Sequence, residues 1–87
     1  MIKIFYDGKC SLCSKEINYY RRISPALFAK WLDIATDPSP LEALGISQDD
    51  ALKRLHVQDD AGNIKTGINA FLVIWEGLSG WRLLGRI

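Results

Sequence analysis

The sequence predicts an α/β fold with a mixed sheet, in the order β-α-β-α-β-β-α, and three observations predict it. The chain starts on a short apolar and aromatic run, Ile2-Lys3-Ile4-Phe5-Tyr6, of the kind that forms a buried strand. After Asp7-Gly8 the period changes: Cys13, Ile17 and Tyr20 recur at i, i+4 and i+7, the spacing of one helix face. Further on, Leu55-His56-Val57-Gln58 and Ile64-Lys65-Thr66 flank the turn-forming stretch Asp59-Asp60-Ala61-Gly62-Asn63, which reads as a hairpin. A strand-helix-strand opening gives a parallel pair, the hairpin adds antiparallel strands, and the helices cover the resulting sheet.

Each element has a local reason. Asp7-Gly8 ends the first strand as a turn, and the helical pattern runs from Ser11 to Ile23, with Arg21 and Arg22 in a last turn where positive charge is favourable. Ser24-Pro25 stops it. Phe28 to Ile34 reads as the second strand through Phe28, Trp31, Leu32 and Ile34, although periodicity alone does not separate it from a helix. Asp37-Pro38-Ser39-Pro40 is punctuation, Leu41 to Leu44 makes one helical turn, Gly45 interrupts, and Ser47 caps a short helix through Ala51 to Leu52. In Ile68 to Leu78 the residues Phe71, Ile74, Trp75 and Leu78 fit a helix, and we expect one capped by Asn69 and ended near Gly80.

Composition bounds what such a fold can do. Eighty-seven residues, 48% of them hydrophobic, suit one domain near the size at which a single core suffices. Eleven basic and ten acidic residues leave a formal charge of +1, and no basic run exceeds Arg21-Arg22, so the sequence speaks against nucleic acid and anionic membrane surfaces as partners. No apolar stretch approaches the roughly 18 residues of a membrane span, and Met1 leads directly into a strand rather than a charged-then-apolar leader. The expected location is cytoplasmic, where cysteine pairs are more often catalytic or metal-binding than structural.

The two cysteines, Cys10 and Cys13, stand two residues apart where the helix is expected to begin. Residues three apart on a helix share a face and rise about 4.5 Å, so the pair can close into a disulfide with little backbone movement. The first backbone N–H groups of a helix lack internal partners and carry roughly half a positive charge, which favours thiolate over thiol. A cysteine pKa near 8.5 falls to roughly 3.5–7.5 in such a setting, and Lys9 adds a neighbouring cation. These considerations assign Cys10 as the attacking nucleophile and Cys13 as the resolving thiol. A structural disulfide closing so short a loop would remove little chain entropy. A monomeric zinc site would need four ligands, and beyond the cysteines the chain offers only His56 among the usual nitrogen and sulfur donors. Two chains pooling cysteines around a metal or cluster remains the second reading. Redox exchange itself needs no organic cofactor.

Other residues have plainer readings. An aspartate before glycine, such as Asp7, most often binds local backbone N–H groups, and Gly8 supplies backbone freedom at the turn. His56, between Leu55 and Val57, is expected on the sheet surface rather than as a general base or ligand. Tyr6 and the three tryptophans are expected as core or groove aromatics, since no Gly-rich phosphate loop accompanies them.

The element order with a Cys-X-X-Cys opening the first helix resembles the thioredoxin fold. Phe5-Tyr6-Asp7-Gly8-Lys9-Cys10-Ser11-Leu12-Cys13, followed by Leu55-His56-Val57, Gly62 and Gly67-Ile68-Asn69-Ala70, is similar to the DCC family of thiol-disulfide oxidoreductases, over about Lys3 to Trp81. The resemblance implies a thioredoxin-like fold, dithiol-disulfide exchange with a protein or low-molecular-weight thiol, and a motif mapping onto Asp7, Cys10 and Cys13. Two departures stand out. Thioredoxins generally hold a cis-proline at the start of the strand near Leu55, whereas the prolines here are Pro25, Pro38 and Pro40; Arg54 or Lys53 takes that neighbourhood and, by fold-level analogy, helps hold a thiolate. Family members also usually continue through further C-terminal helical sequence. Here Trp81, Leu83, Leu84 and Ile87 either pack back on the sheet or offer an apolar edge to a partner chain. The alternative to an enzyme is a metal-binding, cluster-binding or protein-interaction module on the same fold.

Overall fold

Central strand β1 (Ile2–Tyr6) organises the molecule, because its two faces bury different cores. In the computed structural model, residues 1–24 and 28–85 are described, and the side chains of Cys13 and of 79–85 fall outside that description. The order is β1, α1 (Ser11–Ile23), β2 (Ala29–Asp33), a 3-10 segment (Ser39–Leu44), α2 (Gln48–Lys53), β3 (His56–Gln58), β4 (Ile64–Thr66) and α3 (Ile68–Gly85). The sheet runs β2-β1-β3-β4, with β1 parallel to β2 and the other pairs antiparallel. It is the mixed sheet expected, and β2 is one residue shorter at each end than the Phe28–Ile34 segment.

Strand periodicity sends alternate residues of β1 to opposite sides. Ile2 and Ile4 join Ile17 and Tyr20 of α1 and Ala70, Ile74 and Leu78 of α3 on one face. Phe5 points the other way, into a second cluster with Ile34, Leu41 and Ala51. Because both faces are covered, Phe5 and Ile4 are fully buried; each such side chain contributes roughly 1.5–3 kcal/mol by leaving water. On the first face the Trp75 indole Nε1–H donates to the Tyr20 hydroxyl at 2.8 Å, joining α3 to α1. On the second, the Ser47 hydroxyl accepts the Asp50 N–H at 3.1 Å and caps α2, and Gln48 Nε2 donates to the Ile34 carbonyl at 3.0 Å.

Three expectations are corrected. Asn69 does not cap α3: Gly67, at φ +57°, turns the chain out of β4, and its carbonyl accepts the Phe71 N–H at 3.2 Å, so Asn69 lies inside the first turn. The helix also continues past Gly80 to Gly85, since glycine lowers helix propensity without ending a helix. His56 is buried, not on an open sheet surface, because α2 covers the face opposite Val57; its Nδ1 donates to the Arg54 carbonyl at 2.9 Å. Pro25, and the side chains of Trp81, Leu83, Leu84 and Ile87, lie outside the described residues.

Candidate functional site

The four residues joining β1 to α1 form a tightly bonded turn. The Asp7 carbonyl accepts the Cys10 N–H at 3.3 Å, while its side-chain Oδ1 accepts the Lys9 N–H at 3.0 Å. The Cys10 carbonyl then accepts the Ser14 N–H at 2.9 Å, the first bond of the helical ladder. Cys10 therefore occupies the capping position of α1, half-buried, beside the backbone N–H groups that a helix leaves without internal partners. Cys13 is the third residue of that helix, and its side chain lies outside the described residues.

Two residues that the sequence did not single out fix this turn from outside it. Asp33, the last residue of β2, accepts the Gly8 N–H on Oδ1 at 2.9 Å, and also the Ala35 N–H at 3.1 Å and, on Oδ2, the Thr36 hydroxyl at 3.0 Å. Burial pushes the Asp33 carboxyl up, but the donors outweigh it, Gly8 first and then Thr36 and Ala35, and hold it below the usual carboxylate value. The approach is close enough that a Cβ on Gly8 would collide with that carboxylate. Gly8 is thus required for space and not for an unusual dihedral angle. Ser14 closes the other side: its hydroxyl donates to the Gly8 carbonyl at 2.9 Å, with the Asp7 carbonyl at 3.4 Å. Nothing local marks Asp33, which lies 25 residues away in sequence.

Beside the turn opens a cleft of about 200 Å3, lined among others by Asp7, Leu12, Leu52, Arg54, Leu55 and Phe71. Leu12, between the two cysteines in sequence, is 77% exposed and lines this cleft together with Asp7, while Cys10 is half-buried and outside its lining. The structure brings Asp7, Gly8, Lys9 and Cys10 together in one turn and places Arg54 with Asp7 in the lining of the cleft. Lys53 and Arg54 also line an adjoining polar cleft of about 280 Å3 with Asp50, His56 and Thr66. Among the described residues, no group of three or more His, Cys, Asp or Glu is placed to hold a metal ion, and no helix is long and apolar enough to cross a membrane.

Residues 4–87 match the family described as DCC1-like thiol-disulfide oxidoreductase. An uncharacterized chloroplastic protein of Arabidopsis thaliana is 32% identical over 83 residues, which cover 92% of this chain and 39% of that protein. The chain thus spans well under half of the relative it matches. No solved structure matches it.

Proposed function

Because the chain belongs to the DCC1-like thiol-disulfide oxidoreductase family, we propose that residues 1–87 act as one thioredoxin-like domain that exchanges disulfides through Cys10 and Cys13. The observation that carries this reading is the position of Cys10 at the cap of α1, on a turn held rigid by Asp33 and Ser14. In the reducing direction, the Cys10 thiolate attacks one sulfur of a substrate disulfide; a mixed disulfide forms and the other substrate sulfur leaves as a thiolate that takes up a proton. Cys13 then loses its proton and attacks the Cys10 sulfur, releasing the second substrate thiol. The substrate gains two electrons and two protons, and the protein pair is left as a disulfide.

The roles differ by position. The N–H groups at the start of α1 and the cation of Lys9 stabilise charge on Cys10, Gly8 and Asp7 shape the turn, and Arg54 adds positive charge across the cleft. The substrate is a protein or a low-molecular-weight disulfide, and the setting is a reducing compartment, the cytoplasm in our reading. The test compares Cys10→Ser with Cys13→Ser. Cys13→Ser should accumulate mixed disulfides through Cys10 and Cys10→Ser should not; the reverse pattern overturns the assignment, and no exchange by the parent protein overturns the activity.

A further inference from the structure

Two clefts, the first of them bordered by Asp7 of the cysteine turn, have two lining residues in common, the exposed cations Lys53 and Arg54. We propose that Lys53 and Arg54 form a carboxylate-binding corner that selects small disulfides bearing a carboxylate near the sulfur; this rests on the thiol-disulfide reading above. The first cleft is lined by Asp7 of the cysteine turn and Leu12 of α1, by the apolar side chains of Leu52, Leu55 and Phe71, and by the two cations. An alkyl segment next to a sulfur suits those apolar side chains. A carboxylate suits the two cations, because the arginine fork donates N–H bonds to both oxygens of a planar anion and lysine adds a point charge.

The charge balance around the corner supports an anion arriving there. Neither Lys53 nor Arg54 is in an ion pair among the described residues, where the one such pair joins the Met1 amino group to Asp60. The carboxylates of the first cleft lie on its α1 side, and each has a donor within the fold. Asp7 takes the Lys9 N–H, and Glu16 takes the Tyr20 hydroxyl at 3.3 Å. Asp50, on the second cleft, is exposed to solvent in the first turn of α2. His56 donates through Nδ1 to the Arg54 carbonyl and so anchors the backbone of the corner. Size points to a small molecule: about 200 Å3 lies below the roughly 300–1,000 Å3 of sites for drug-sized ligands.

The experiment uses the pre-reduced protein, whose dithiol supplies the two electrons and two protons that convert one disulfide into two thiols. Rates are measured with 3,3′-dithiodipropionate, 2-hydroxyethyl disulfide and cystamine, each divided by its rate with a small free dithiol to remove intrinsic reactivity. The corrected rate for the dicarboxylate should exceed that for the neutral probe about five- to tenfold, with cystamine slowest. Raising salt should compress the ratio. In the Lys53→Gln, Arg54→Gln double variant the ratio should fall to about one, whatever happens to the absolute rates. If Arg54 only tunes the thiolate, all three rates change together and the ratio holds, which overturns the proposal. Equal corrected rates in the parent also overturn it while leaving the exchange activity standing, whereas no reaction with any of the three disulfides removes both.

Discussion

Two turns of this molecule look alike in sequence and are held in opposite ways. Asp7-Gly8-Lys9-Cys10 leads from β1 to α1, and Asp59-Asp60-Ala61-Gly62-Asn63 joins β3 to β4; each begins with aspartate and contains glycine. The hairpin turn bonds chiefly to itself, with one exposed ion pair from Asp60 to the Met1 amino group. Asp59 Oδ1 accepts the N–H groups of Ala61 at 3.0 Å and Asn63 at 2.9 Å, and Gly62 sits at φ +87° with open space where a side chain would be. At the cysteine turn the glycine has no positive φ, and what excludes a side chain is the Asp33 carboxylate arriving from another strand. One glycine answers a local dihedral requirement, the other a tertiary contact. The turn that carries Cys10 is tied to the sheet through a backbone N–H and a strand carboxylate, and the hairpin turn is tied to the rest of the chain only through the exposed Asp60–Met1 ion pair among the described residues.

The strongest way to break this comparison is to fill both glycines. Gly8→Ala forces the Asp33 carboxylate and the turn apart, and should cost about 2–3 kcal/mol as overpacking plus a lost hydrogen bond. Gly62→Ala should cost about 1–2 kcal/mol from the left-handed backbone alone. Urea denaturation of the double variants then separates the causes. Gly8→Ala with Asp33→Ala should be less destabilising than the sum of the singles by about 1 kcal/mol or more, whereas Gly62→Ala with Asp33→Ala should add to within about 0.5 kcal/mol. Additivity at Gly8 would mean that the glycine is there for some reason other than Asp33.

The same contrast is sharpened by removing the two acceptors. Asp33→Ala leaves the Gly8 and Ala35 N–H groups and the Thr36 hydroxyl without their partner and should cost about 1–2 kcal/mol. Asp59→Ala frees two exposed N–H groups to bind water and should cost about 0.5 kcal/mol. The alkylation rate of Cys10 as a function of pH distinguishes them further. Asp33→Ala should shift that profile, because the turn carrying Cys10 loses its tether, and Asp59→Ala should leave it in place.

What could be read in the sequence follows the same division between local and distant causes. β1, α1, the Ser47 cap, the hairpin and the parallel β1–β2 start rest on periodicity and turn chemistry within a few residues, and each was legible. So was the grouping of Asp7, Gly8, Lys9 and Cys10. Asp33 and Ser14 were not, because an aspartate ending a strand and a serine in a first helical turn carry no mark of the loop they hold. The burial of His56 is hidden for a related reason: alternation along β3 sets it opposite Val57, but only the position of α2 decides that this face too is covered. The start of α3 is hidden because asparagine is a common cap, while here the left-handed backbone of Gly67 supplies the turn.

The smallest expected effect is on the acid side, and it isolates charge from geometry at the tether. Asp33→Asn keeps an oxygen in place for the Gly8 N–H but cannot ionise, so the turn should hold its shape. In the parent protein burial pushes the Asp33 carboxyl up, and the hydrogen bonds from Gly8, Thr36 and Ala35 more than reverse this, leaving the folded value below the roughly 3.9 of an unfolded aspartate. A group depressed in the folded state binds protons more readily when unfolded, so its stabilisation is complete above about pH 4 and is lost as pH falls through the lower, folded value. Asp37, lowered by the Ser39 hydroxyl and N–H, contributes with the same sign but is present in both proteins and cancels in the difference. Stability measured by urea from pH 6 down to pH 2.5 should therefore fall more steeply in the parent than in Asp33→Asn, with the curves converging at the acid end. Parallel curves would show that the tether works as a neutral hydrogen-bond acceptor, and that the charge of Asp33 has no part in holding the cysteine turn.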